Sequence, residues 1–154
     1  MIIFENAAGS LSENKAGNYL RLDWQDAYPS DESIKALLEE VLLALQHRQW
    51  RKILFHQNGR GTLSVAISAW VSIDWLPRAV HAGYYYGAII LSRDMFTRLD
   101  TTAIGKEYSR RMHLPVYQYF EHETEAITWL LASKTPEQAP IPQEREKLPK
   151  KEKS

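Results

Sequence analysis

The chain has 154 residues, a length typical of a single domain that buries about two-thirds of its unfolded surface. Basic and acidic side chains both number 19, so no overall charge attracts the chain to nucleic acid or to a membrane surface. The sequence has no cysteine, which excludes disulfides, thiol nucleophiles and thiolate metal sites.

The N-terminal residues do not form a basic-then-apolar leader, because Glu5 and Asn6 interrupt the first apolar positions. No apolar run approaches the roughly 20 residues that span a bilayer. These patterns predict a cytoplasmic protein without membrane insertion.

The C-terminal residues 134–154 are rich in proline and charge and poor in apolar side chains. Such a segment cannot bury enough surface to offset the entropy of ordering it. We therefore predict one domain over residues 1–133, followed by a disordered charged tail over 134–154. The tail has six basic and four acidic residues, and this small excess of positive charge does not identify a partner.

The first third of the chain predicts an antiparallel meander. Residues 2–4 form a short apolar strand, and residues 9–18 contain a second strand with a turn. In residues 19–25 apolar and charged side chains alternate, which is typical of a strand with one buried face. The apolar side chains on that face are Leu20, Leu22 and Trp24.

Helices and strands alternate in the rest of the predicted domain. Ser30 is a predicted helix cap, and apolar residues at 3.6-residue spacing continue to Leu45. Residues 52–55 predict a strand buried on both faces. A helix beginning at Val65 is expected to be interrupted near Pro77.

After that helix, Gly83 is the expected C-terminal stop, and residues 84–92 predict an interior strand. The remaining predicted elements are helices beginning at Asp94 and Asp100, a strand over 115–120 and a closing helix over 123–132. The order βββ-α-β-α-β-α-β-α predicts an α/β fold, with a mixed sheet whose later strands are parallel and helices packed on the sheet.

Several segments, in chain order, resemble the STAS superfamily, and more closely the stand-alone bacterial SpoIIAA-like proteins. They are Glu5–Asn6, residues 20–24, 74–96 and 119–120, and a closing helix with Ala126 and Trp129–Leu130. The resemblance covers roughly residues 1–133 and implies a SpoIIAA-like sheet and a function in protein–protein recognition. It includes no catalytic signature.

The loop "HQNGRGTLS", residues 56–64, has two interpretations. Glycines and hydroxyls at a strand-to-helix turn are typical of anion-binding loops, and the resemblance implies a phosphorylated serine near this place. The Asp-Ser pair of the phosphorylated relatives is missing here. In the other interpretation, Asn58-Gly59 forms a tight turn and Ser64 caps the next helix. The candidate regulatory or anion-binding residues are Asn58, Gly59, Thr62 and Ser64.

Aromatic residues cluster in sequence around Pro77. Trp70, Trp75 and Tyr84, together with Arg78, are candidates for an apolar ligand pocket or an interface. The alternative is ordinary core packing for the aromatic rings and a solvated or salt-bridged arginine.

Known catalytic patterns do not occur in the sequence. The loop at Gly59 lacks the lysine of a Walker motif, no two histidines lie three to five residues apart, and no Gly-x-Ser-x-Gly occurs. His56, at a strand end, is the one histidine placed where a functional group would be expected. We therefore predict no catalytic residues, no metal site and no cofactor.

These observations predict a non-catalytic protein-interaction or regulatory module that binds a protein partner or a second copy of itself, and no nucleic acid. The alternative is a carrier of a small apolar or lipid-like ligand, bound near the Pro77 helix break. An enzyme is the third hypothesis.

Overall fold

Six strands form one mixed sheet in a computed structural model of the chain, which describes residues 1–25, 29–56, 64–91 and 115–134. The strands are β1 (Ile2–Asn6), β2 (Gly9–Asn14), β3 (Tyr19–Trp24), β4 (Lys52–His56), β5 (Tyr86–Ile90) and β6 (Val116–Phe120). Their spatial order is the chain order. Strands β1 to β3 are antiparallel, whereas β3 to β6 are parallel. The predicted α/β class, with a meander followed by parallel strands, is confirmed.

The helices of the described residues are α1 (Asp31–Arg48), α2 (Val65–Trp70), a π turn (Val71–Trp75), α3 (Leu76–His81) and α4 (Glu123–Ala132). Ser30 caps α1 by accepting a hydrogen bond from the Ser33 amide. Gly83 follows α3 with a φ of +112°, a conformation that favours glycine, and so ends the helical run as predicted.

The interruption expected near Pro77 is a π turn, Val71–Trp75, which separates α2 from the short helix α3. The chain stays helical from Val65 to His81 and changes only its winding, in the π turn that precedes Pro77. Proline lacks an amide hydrogen and crowds the carbonyl four residues back, so it is unfavourable inside an α-helix. It is tolerated in the first turn, because amides there have no acceptor within the helix. Pro77 occupies such a position in α3, directly after the π turn.

Helices cover both faces of the sheet. Helix α1 and residues 65–81 pack on the face that carries Leu20, Leu22 and Trp24, as the alternation in β3 predicts. Helix α4 packs on the opposite face, where Ala126 and Leu130 contact Tyr19, Leu54, Ala88 and Ile90. Strands β4 and β5 are therefore buried between two helical layers.

Cationic side chains from the sheet hold α4 at both ends. The Lys52 ammonium donates to the carbonyls of Leu130 and Ser133 at 2.6 and 2.7 Å, and thereby caps the end of the helix. Burial lowers the pKa of Lys52. At the beginning of the helix, Arg21 donates to the Glu123 carboxylate at 2.8 and 3.2 Å.

Some predicted features fall outside the described residues. These are the helices expected from Asp94 and Asp100, the loop residues Asn58, Gly59 and Thr62, and nearly all of the tail predicted from residue 134. The described chain reaches Lys134, whose carbonyl accepts a hydrogen bond from the Tyr86 hydroxyl at 3.0 Å.

Candidate functional site

Ser64 lies at the beginning of α2 and joins it to α1. Its Oγ accepts a hydrogen bond from the Ile67 amide at 3.1 Å, which is the geometry of an N-cap. The same hydroxyl donates to the Asp31 carboxylate, whose two oxygens are each 3.3 Å away. The Ser64 cap of α2 and the first residue of α1 therefore meet through one exposed hydroxyl, although they are 33 residues apart in sequence. A regulatory role for Ser64 stays a prediction.

The contact with Asp31 determines what substitutions of Ser64 should do. We expect Ser64→Ala to lower the free energy of unfolding by about 1 kcal/mol through loss of the cap. Ser64→Asp preserves a capping side chain but places a second carboxylate beside Asp31. It should therefore also be less stable than the wild type, and urea unfolding at low and high salt measures both changes.

The matched control is the double variant Asp31→Asn/Ser64→Asp, which removes the repulsion and should recover most of the lost stability. A Ser64→Asp protein as stable as the wild type at low salt would contradict the contact between Ser64 and Asp31.

Trp75 and Tyr84 lie in the core. The Trp75 indole N–H donates to the Leu38 carbonyl of α1 at 2.7 Å, and its ring centroid is 6.5 Å from that of Tyr84. The Tyr84 ring is 1% exposed, and its hydroxyl lies against Gly87, where any side chain would overlap it. That hydroxyl has no hydrogen-bond partner among the described residues. Burial, with a smaller contribution from the neighbouring Tyr117, raises the pKa of Tyr84 well above its usual value.

Trp70 and Arg78 lie where residues 65–81 meet α1. The half-buried Trp70 ring has the Lys35 ammonium 5.5 Å and the Arg78 guanidinium 6.0 Å from its centroid. Arg78 donates to both oxygens of Glu39, at 2.9 and 2.6 Å, and to Asp74 at 2.8 Å. These hydrogen bonds, with Glu39 first, raise the pKa of Arg78 above its usual range. The Arg78 guanidinium therefore connects α3 to α1 through its hydrogen bonds with Glu39.

Three apolar side chains lie on the side of α2 and the π turn that faces away from the core. We call Val65, Ala69 and Ile73 the apolar stripe. Val65 is 87% exposed and Ile73 is 77% exposed, and Ala69 between them is also exposed. Ile67, on the inward side, is fully buried.

The π turn keeps the stripe in one row. A step of four residues exceeds one turn of an α-helix, which needs 3.6 residues. The same step falls short of one turn in the wider π form, whose hydrogen bonds reach five residues back. The step from Val65 to Ala69 lies in α2, whereas the step from Ala69 to Ile73 enters the π turn at Val71, so the π turn offsets part of the rotation that α-helical winding would add.

A charged cluster lies on the α4 face near the carboxyl ends of β3 and β4. Arg21 donates to Asp23 at 2.9 and 3.1 Å in addition to its bonds with Glu123, and the His56 Nδ1 is 3.3 Å from Asp23. The hydrogen bonds from Arg21 lower the pKa of Glu123. Asp23 can orient the His56 ring, as in an acid–base pair. Arg21 is engaged by two carboxylates, so the cluster also fixes α4 on the sheet.

A groove of about 760 Å³ lies beside Pro77, between the ends of α1 and α3. Its walls include the polar side chains of Gln46, Gln49, Arg51 and His81. Arg78 contributes to this groove, whereas Trp70, Trp75 and Tyr84 do not line it. The structure thus distributes the four candidate residues of this region over the core, the α1 contact and the wall of a groove with mixed lining.

Comparison with known proteins gives no relative: no protein family, curated protein or solved structure matches this chain. None of the helices in the described ranges combines the length and apolar character needed to cross a bilayer. Within the same ranges, histidine and acidic side chains do not gather in a group of three or more that could hold a metal ion.

Proposed function

We propose that this chain is a non-catalytic protein-binding module with a STAS-like arrangement, and that the apolar stripe is its docking surface. The observation that carries the proposal is the exposure of Val65 and Ile73 on a helix whose other side is in the core. A row of exposed apolar side chains has a favourable free energy of burial, and such surfaces mark interaction sites.

The position of the stripe supports a regulated interaction. The stripe begins at the residue after Ser64, where the STAS resemblance implies a serine whose modification controls partner binding. A phosphate on Ser64 would add negative charge at one end of the stripe and beside Asp31, 3.3 Å from the present hydroxyl. Both effects would alter the surface that the partner meets.

The polar groups near the stripe support binding rather than catalysis. The Ser64 hydroxyl is used in capping α2 and in the bond to Asp31, and Arg78 is held by Glu39 and Asp74. These groups fix the helix that presents the stripe. A carrier of a small apolar ligand near Pro77 stays a prediction, and the groove there has mixed walls, with Leu42, Pro77 and Ala82 beside the polar side chains.

The experiment compares proteins captured from native lysate by the wild type and by the double variant Val65→Gln/Ile73→Gln. Both positions are exposed, so the variant should unfold at the wild-type urea concentration. We expect a specific partner to be recovered with at least about tenfold lower yield, since two buried aliphatic side chains would be lost from the interface.

The matched control is Leu131→Gln, which changes a leucine that is 53% exposed on α4, on the other side of the sheet. It should capture the partner as the wild type does. Equal recovery by the stripe variant, equal loss in the control, or no protein retained above bare resin would each contradict the proposal.

A further inference from the structure

The first strand is an open edge of the sheet with apolar side chains on both sides. Within the described residues, β1 pairs only with β2, through a register that is irregular between Ile2 and Phe4. Ile2 is 56% exposed, and so is Leu43 on the helix above the same edge. An open strand edge has backbone donors and acceptors available to another strand.

A groove of about 550 Å³ runs between this strand and α1. Ile3, Phe4 and Leu11 contribute the sheet side of the groove. The helix contributes Glu40, Leu43, Ala44 and His47, which recur at the three- and four-residue spacing of one helix face, and beside them Gln46 and Arg48. The Arg48 guanidinium is already paired with the Glu13 carboxylate at 2.8 Å. Edge strand, groove and helix face therefore form one continuous surface, which we call the β1–α1 edge.

Glu40 and His47 on the β1–α1 edge can pair with the same residues of a second copy that is related by a two-fold axis. Glu40 lies about 4.5 Å before Leu43 along the helix axis, and His47 lies about 6 Å after it. When two copies of α1 pack antiparallel with Leu43 against Leu43, Glu40 of each copy meets His47 of the other. The carboxylate can then accept a hydrogen bond from the imidazole N–H, and this pair occurs twice in the assembly.

The strand is compatible with the same axis. Leu43 lines the groove together with Ile3 and Phe4, so a two-fold axis beside Leu43 also passes near the middle of β1. Two copies of β1 would then run antiparallel, with Glu5 of one copy opposite the apolar start of the other rather than opposite a second Glu5. Strand pairing and helix packing thus need one and the same symmetry.

From this self-complementarity we propose that the β1–α1 edge binds a second copy of the chain. The result is a two-fold dimer in which the two sheets continue across paired β1 strands. The partner is a second copy because, in an antiparallel copy of α1, Leu43 meets Leu43 and each Glu40 meets a His47. The edge lies apart from the apolar stripe, so this interface does not depend on the proposed function.

The primary test is the mass of the wild type and of Leu43→Asp in sedimentation experiments over a range of concentrations. We expect the 17.8 kDa chain to sediment as a dimer. Leu43→Asp, which places two carboxylates at the axis, should raise the dimer Kd at least about tenfold. Leu131→Asp, at a leucine with similar exposure on α4, is the matched control and should leave Kd unchanged.

Charge exchange tests the orientation of the two helices. Glu40→Lys and His47→Glu should each weaken the dimer, and the double variant should restore it, because the pair across the axis is re-formed in reverse. Hydrogen exchange provides a second readout, since the outward amides of β1 should be protected in the dimer.

A monomeric wild type, a Leu43→Asp protein that remains dimeric, equal dissociation by Leu131→Asp, or a double charge variant weaker than both single variants would overturn the proposal. A dimer whose β1 amides exchange as fast as in the monomer would place the interface elsewhere.

Discussion

Trp75→Ala is expected to lower the free energy of unfolding by about 3–5 kcal/mol. The ring is 2% exposed and lies between α1, Tyr84 and the sheet, so truncation leaves a cavity in the main core. It also removes the indole N–H that donates to Leu38. Urea unfolding followed by circular dichroism measures the loss without depending on tryptophan fluorescence.

Trp70→Ala is the matched control, five residues earlier on the same helical segment. Its ring is only half-buried at the edge of the core, and the cations of Lys35 and Arg78 lie near its face. We expect a loss of about 1–2 kcal/mol from partial burial and weakened cation–π contacts. Equal losses for the two variants would contradict the assignment of Trp75 to the core and Trp70 to its margin.

Trp24→Ala is also expected to cost about 3–5 kcal/mol. Trp24 is 6% exposed at the end of β3, in the cluster that contains Leu20 and Leu22. Its neighbour across the sheet is Gly9, where a Cβ would lie only 3.1 Å from the Trp24 Cα, so the two strands are closely paired there.

The control for this variant is Trp50→Ala, which removes a half-buried ring from the connection between α1 and β4. Trp50 contacts the Arg48 guanidinium at 5.8 Å and should cost less than Trp24. An unchanged denaturation midpoint for Trp24→Ala would put that face of β3 in solvent and contradict the orientation of the sheet.

The strands and caps could be predicted because each depends on neighbouring residues. The alternation in residues 19–25 determines which face of β3 is buried, and Ser30 and Gly83 act on helix ends one to three residues away. The sequence also indicated a change near Pro77, but it did not show that the chain would pass through a π turn there rather than leave the helix.

The candidate site could be predicted less well, because its contacts join distant parts of the chain. Neither the bond between Ser64 and Asp31 nor the pairing of Arg78 with Glu39 has a local sequence signal. The apolar stripe did have one, since Val65, Ala69 and Ile73 are four residues apart. Only the structure shows that Val65 and Ile73 are exposed, whereas Ile67 on the other side of the helix is buried.

The strand order also bears on where this protein can hold a ligand. Many α/β sheets reverse direction in the middle, so that adjacent strands send their connections to opposite faces and open a crevice at their carboxyl ends. Here β3, β4 and β5 advance in one direction, and α1 and residues 65–81 lie on the same face. The described strands therefore have no such reversal, and both surfaces proposed above lie elsewhere, on the outer side of a helix and at the β1 edge of the sheet.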